Sequence, residues 1–240
     1  MRRPRKETIC RTGIFHKMWR GHDLGPVLAE DADKKLYLDR LGDTLTDEVG
    51  ERVQWHSYCL MSTHPHETGR VNPDDDGGLE QGVDRLGTWM RNAHSRFAQQ
   101  YNQCHGRRGK VACERPKTKE VDDEAGLLTV MFYGDANPVR AGMVCHPKSY
   151  RWSSYRFYAF GERDGITRHL TPPPAYLALG RTARERQQKY RQLCDAYLRE
   201  KGLLDDAPED GAEMAAPNEE SEAGALTCGR LDEPGRARAG

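Results

Sequence analysis

The stretch Arg52-Val53-Gln54-Trp55-His56-Ser57-Tyr58-Cys59-Leu60-Met61, then Ser62-Thr63, then His64-Pro65-His66-Glu67-Thr68, decides how this chain folds. Its first run is dense in aromatic and β-favouring side chains and predicts a strand. Ser62 and Thr63 leave room only for a short turn, so the second run predicts the next strand beside it. Working outward, residues 13–19 (Gly13-Ile14-Phe15-His16-Lys17-Met18-Trp19) read as an earlier strand. Between them, residues 31–45 carry Leu36, Leu38, Leu41 and Leu45 near helical spacing. After the hairpin, residues 72–78 form an acidic Pro/Gly loop. Leu86, Met90, Ala93, Phe97 and Tyr101 then mark one face of a long helix, and residues 110–121 are charged and extended.

Asp122-Asp123-Glu124 opens another helix, with acids where the helix dipole favours them. It carries Leu127, Leu128, Val130, Met131 and Tyr133, and is expected to end near Asn137, because Pro138 disfavours helical geometry at the residue before it. The order β-α-β-β-α-(β)-α predicts an α+β fold: a ferredoxin-like antiparallel sheet with helices packed on one face.

Four stretches follow from composition. Residues 1–11 read as a basic flexible arm, 12–160 as a domain of alternating strand-like and helical patterns, 161–204 as a helical extension after the Pro172-Pro173-Pro174 loop, and 205–240 as a disordered acidic tail. Lys+Arg and Asp+Glu are both 37, yet the balance is uneven. The tail holds ten acids against three arginines, leaving residues 1–204 at +7, a body suited to a polyanion. No run approaches a membrane span, and no apolar segment follows the basic N-terminus as in a signal peptide. The seven cysteines are odd in number and never spaced C-x-x-C, which predicts free thiols and a cytoplasmic location.

Three features could carry chemistry. On a strand, residues two apart share a face, so His64 and His66 can present two imidazoles to one divalent metal. Alone, the pair also fits two surface histidines. On a helix, Tyr133 and Asn137 share a face four residues apart, offering a phenol nucleophile and an amide oxygen. Alone, they also fit a buried Tyr and a helix-ending Asn. Arg107, Arg108, Lys110, Arg115, Lys117 and Lys119 form a basic segment suited to phosphates. Phe97 and Tyr101 fit the core better than base stacking, and Trp152 reads as a core anchor. His16 and His56 read as structural. Cys104, His105, Cys113, Cys145 and His146 match no standard zinc spacing, and Ser153 and Ser154 have no partnered base.

Taken in order, Ile14 through Gly21, Tyr58 through His66, Phe97 through Asn102 with Gly109, Tyr133-Gly134-Asp135-Ala136-Asn137-Pro138-Val139-Arg140-Ala141-Gly142, and Tyr150 through Tyr155 carry a resemblance. Over roughly residues 12–160 the chain resembles the single-tyrosine HUH transposases, in the branch of the REP-associated tyrosine transposases. Their order and spacing together are specific where each motif alone is weak.

The resemblance implies cleavage and rejoining of single-stranded DNA, hairpin or palindromic, with Mg²⁺ or Mn²⁺. His64, His66 and Asn137 match the family's metal ligands and Tyr133 its nucleophile, which forms a 5′-phosphotyrosine. Either a monomer or a homodimer fits. The chain departs from the family at Thr63 (commonly Asn), at Pro65 (commonly bulky and apolar) and at Gly134-Asp135-Ala136 (commonly Ile-x-Leu). Proline cannot donate to a ladder, so its strand is expected at an edge or irregular there. The alternative is an inactivated or domesticated derivative that binds DNA or RNA hairpins without cutting. A third reading, an unrelated metal phosphoesterase, leaves the Tyr133/Asn137 spacing unexplained and needs more carboxylates than Glu67 supplies.

Overall fold

The computed structural model describes residues 4–22, 25–112 and 116–205. Its elements are α1 (Arg5–Thr8), β1 (Ile14–Met18), α2 (Asp31–Thr44), α3 (Asp47–Gly50), β2 (Val53–Leu60), β3 (Pro65–Val71), α4 (Glu80–Cys104), β4 (Lys117–Glu120), α5 (Glu124–Arg140), α6 (Tyr155–Phe160), α7 (Pro174–Leu177) and α8 (Ala183–Glu200). The four strands form one sheet in the order β2-β3-β1-β4, every pair antiparallel. With α2 and α4 as the crossovers, this is the expected ferredoxin-like arrangement.

The sheet has two different faces because strand side chains alternate. Along β1, Phe15 enters the core that α2 and α4 build with Trp55, Trp89, Tyr37 and Phe97. Ile14 enters a second core, with Leu127 and Met131 of α5 and Tyr190 and Leu198 of α8. Helices on one face therefore describes α2 and α4 alone; α5 covers the other face and makes a third layer. The second core also joins residues 161–204 to what precedes them. Tyr155 and Tyr158 of α6 pack with Tyr176, Tyr190 and Cys194, and a capping box of Thr182 and Glu185 starts α8. The boundary expected at 160 is not one of packing, since the described residues on either side of it belong to one compact unit.

Three further expectations are corrected. Residues 4–11 are docked rather than loose: Ile9 is 1% exposed, and the backbone N–H groups of Cys10, Arg11 and Thr12 all donate to the Glu120 carboxylate. β3 is an interior strand, not an edge. Pro65 is tolerated because it is the first residue of β3, and the N–H of Leu60 opposite it donates instead to the Trp152 carbonyl at 2.8 Å. Helix α5 starts at the expected cap, where Asp123 accepts from the Gly126 N–H, but runs through Pro138 to Arg140. The missing N–H falls in the last turn, where burial of Ala136, Asn137 and Pro138 holds the helix. The tail over 206–240 lies outside the described residues.

Two local features set register. His56 is the extra residue of a β-bulge, since Trp55 pairs with Gly69 while Ser57 pairs with Thr68. The bulge changes the alternation, so that Val53, Trp55, Tyr58 and Leu60 all reach the same core. His56 itself is structural, as expected, its Nδ1–H donating to the Thr171 carbonyl at 2.6 Å. Trp152 is half-buried against this core rather than inside it, and its indole N–H donates to Asp31.

Candidate active site

His66 lies on β3 with Thr68 and Arg70 on the face that α5 covers. His64 is just ahead of the strand, and the two rings stand edge to face, 4.9 Å apart between centroids. His64 Nδ1 is 2.8 Å from the Thr63 hydroxyl. Glu67 points the other way, into the buried Lys17 ammonium and the Tyr37 hydroxyl on α2. It cannot join His64 and His66 as a ligand, so the carboxylate that a phosphoesterase would use is on the wrong side of the sheet.

Helix α5 crosses this face and brings Tyr133 over the histidines. The Tyr133 ring stands edge-on to His66 at 5.5 Å and to His16 at 6.3 Å. Tyr133 is 38% exposed, although its helix neighbours Phe132 and Asp135 are buried. Asp135 accepts from the Tyr190 hydroxyl at 2.7 Å and so ties the back of α5 to α8. One turn beyond Tyr133, Asn137 is buried, and its Oδ1 accepts from Arg140 at 3.2 Å. The same guanidinium sits 5.1 Å from the centroid of the Tyr133 ring. Arg140 therefore links the phenol and the amide.

Sequence reasoning left out three residues of this site: His16, Arg20 and Arg140. His16 reads as structural in the sequence, yet its Nε2 lies 2.9 Å from His66 Nδ1. Nothing in sequence spacing pairs residues 16 and 66; only the β1–β3 register, with Met18 opposite His66 and His16 opposite Thr68, brings them together. Burial pushes the His66 pKa down to about 3, and the charges of His16, His64, Arg20 and Arg140 push the same way. Burial, then Lys119, lowers His16 to about 4. His64 is lowered as well, by burial and then Arg20. All three imidazoles are neutral at pH 7 and able to offer a lone pair.

The residues fit a divalent cation. His66 Nε2 is buried without a hydrogen-bond partner among the described residues, and its lone pair is of the kind a divalent cation takes. The described residues contain no group of three His, Cys, Asp or Glu side chains placed to hold a metal. A cation here would have two imidazoles and the Asn137 amide oxygen, with water completing the shell. That mixed nitrogen and oxygen set suits Mn²⁺, or Mg²⁺ that keeps its waters. The Cys/His set considered for zinc does not assemble among the described residues: His105 pairs with Asp33 and His146 with Asp195.

The basic segment is tied to the same end of the sheet. Arg107, Arg108 and Lys110 are exposed in the loop after α4. That loop is tied to the histidine end of the sheet: the Gly21 N–H donates to the Thr63 carbonyl and the His22 N–H to the Val111 carbonyl. Lys117 and Lys119 are exposed on β4, opposite Met18 and His16, which puts them on the histidine face. Arg115 lies outside the described residues. Phe97 and Tyr101 belong to the core, as expected.

Solved structures similar to this chain include the following two. One is a REP-associated tyrosine transposase bound to a REP hairpin, at 14% identity and a TM-score of 0.48, covering 68% of this chain and 87% of that one. The other, from Deinococcus radiodurans R1, is described as a transposase; it is 13% identical with a TM-score of 0.34, covering 55% of this chain and 95% of that one. No protein-family model matches the sequence, and no curated protein matches it.

Proposed function

We propose that this chain cuts and rejoins single-stranded DNA through a covalent tyrosine intermediate, at sites next to a hairpin. The observation that carries the reading is the meeting of Tyr133 with His66: a half-exposed phenol edge-on to His66, whose neutral ring stands edge to face with that of His64, on the sheet face that α5 covers.

The Tyr133 oxygen attacks the scissile phosphorus. The bond from phosphorus to the 3′-oxygen breaks, the phenolic proton passes to water, and the departing oxygen takes a proton from water to become the 3′-hydroxyl. The 5′-phosphate stays on Tyr133. Attack by another 3′-hydroxyl reverses the step and frees the phenol, so no nucleotide hydrolysis is needed. His64, His66 and the Asn137 oxygen would hold Mg²⁺ or Mn²⁺, which supplies Lewis-acid polarisation of the phosphate. Arg140 restrains the Tyr133 ring and offers a charge to the phosphate. Arg20, Lys117, Lys119 and the loop carrying Arg107, Arg108 and Lys110 are suited to track the strand.

The test is to incubate the full chain with a 3′-labelled single strand carrying a hairpin, with and without Mn²⁺. A labelled protein band on a denaturing gel, present only with Mn²⁺, is expected. Tight hairpin binding with no band under any metal would favour the non-cutting derivative.

A further inference from the structure

His16 is not needed as a ligand in the reading above, yet it is held against His66 from two sides. It lies in β1, which is laddered to β3 on one edge and to β4 on the other. On the opposite face the buried Lys17 ammonium meets the Glu67 carboxylate, and these two residues are direct cross-strand partners. That ion pair pins the register that sets His16 beside His66. The rings are nearly parallel, 15° between planes, and the approach of 2.9 Å between His16 Nε2 and His66 Nδ1 is a hydrogen bond.

One proton lies between those two nitrogens, so one ring donates and the other accepts. Were His16 the donor, His66 would carry its own hydrogen on Nε2. That atom is buried with no partner among the described residues, and an orphaned N–H is the least tolerated kind of buried polar group. With His66 as donor, the hydrogen of His16 moves to its Nδ1, which is not among the buried unpartnered atoms. We infer that His16 is a positioning residue that holds His66 as the Nδ1–H tautomer and turns the Nε2 lone pair to the cleft. A second group that fixes a histidine in this way sets how well the ring binds a metal. Only this consequence rests on the function proposed above; the tautomer itself does not.

Two measurements on the full chain test the inference without DNA. Long-range ¹H–¹⁵N correlation at neutral pH reads which ring nitrogen of His66 carries the proton, and calorimetry reads Mn²⁺ binding. The wild type is expected to show Nδ1–H at His66, the minor form of free histidine. His16→Phe keeps a ring but no acceptor: His66 should move to the Nε2–H form, and Mn²⁺ affinity should fall roughly 10–100-fold. His16→Gln replaces the acceptor at similar reach and should restore the Nδ1–H form and most of the affinity. A wild-type His66 protonated on Nε2 overturns the inference, whether or not the Phe variant folds. So does a His16→Phe protein that keeps Nδ1–H at His66. A wild type with Nδ1–H that binds no Mn²⁺ upholds the role of His16 and contradicts the metal reading instead.

Discussion

His66 and Tyr133 depend on their surroundings in opposite ways. His66 is almost wholly buried, and burial keeps it neutral with a lone pair to offer. Tyr133 is the exposed member of a helix whose other aromatic, Phe132, is in the core. On the proposed reading, the residue that would bind the cation is dry and the residue that would reach the phosphate is wet. His64→Ala and His66→Ala are each expected to abolish Mn²⁺ binding and adduct formation while leaving hairpin affinity largely intact, because phosphate contacts supply most of that affinity. Calorimetry and a filter-binding titration on the same preparations check this, and a histidine-free variant that still forms the adduct would remove the metal from the account. At this scale the sequence was informative where spacing decides. The alternation that pairs His64 with His66 and the turn that pairs Tyr133 with Asn137 are local. His16 was not legible, because its partner is 50 residues away and only sheet register joins them.

Two glycines show why the elements lie where they do. Gly69 of β3 has no room for a side chain: a Cβ there would stand 2.4 Å from the Gln54 carbonyl oxygen and 2.5 Å from the Phe15 ring. Gly69→Ala should therefore cost about 1–3 kcal/mol or more, from overpacking against backbone. Gly134 of α5 differs. A Cβ there would meet only the Cβ of Cys59, at 3.9 Å, which is ordinary contact. Gly134→Ala should stabilise the fold by about 0.5–1 kcal/mol, because the helix no longer bears the entropy of a glycine. Chemical denaturation of both variants checks the pair; a destabilised Gly134→Ala would mean that α5 does not approach β2 as described. The strands and long helices were readable from side-chain periodicity. The bulge at His56 and the run of α5 through Pro138 were not, since tertiary burial overrode local preference in both.

For the whole molecule, charge and protonation make further predictions. His16 and His56 are lowered to about 4 and His66 to about 3 from the ordinary 6.5. The unfolded chain therefore binds more protons than the folded one below pH 6.5, and this stabilisation is lost as pH falls through that window. Asp135, raised by burial from 3.8 to about 7, acts in the opposite direction, being more stable folded and protonated at low pH. Three groups outweigh one, so the melting temperature should climb from pH 4 to 6.5 and then level off. Asp135→Asn should steepen the climb; a profile flat from pH 4 to 7 would contradict the burial of these histidines. With about four phosphate contacts, the log–log salt slope for single-stranded DNA should be near −3, and Lys117→Ala with Lys119→Ala should reduce it by about 1. An unchanged slope would remove β4 from the track. The crossover topology was legible from the order of elements. The second core was not, because residues 161–204, which share it with α5, carry no motif and declare their place only by packing.

The central claim is that Tyr133 is the nucleophile, and a trapped adduct tests it most directly. A neutral phenol is a weak nucleophile, so the attack depends on the groups around it. Tyr133→Phe keeps the ring beside Arg140 and His66 but lacks the oxygen. The wild type, incubated with hairpin-bearing single-stranded DNA and Mn²⁺, digested and analysed by mass spectrometry, is expected to carry a nucleotide on Tyr133, and Tyr133→Phe to bind the same DNA and carry none. A nucleotide on Tyr150 or Tyr155 with Tyr133 unmodified, or an undiminished adduct in Tyr133→Phe, would contradict the account.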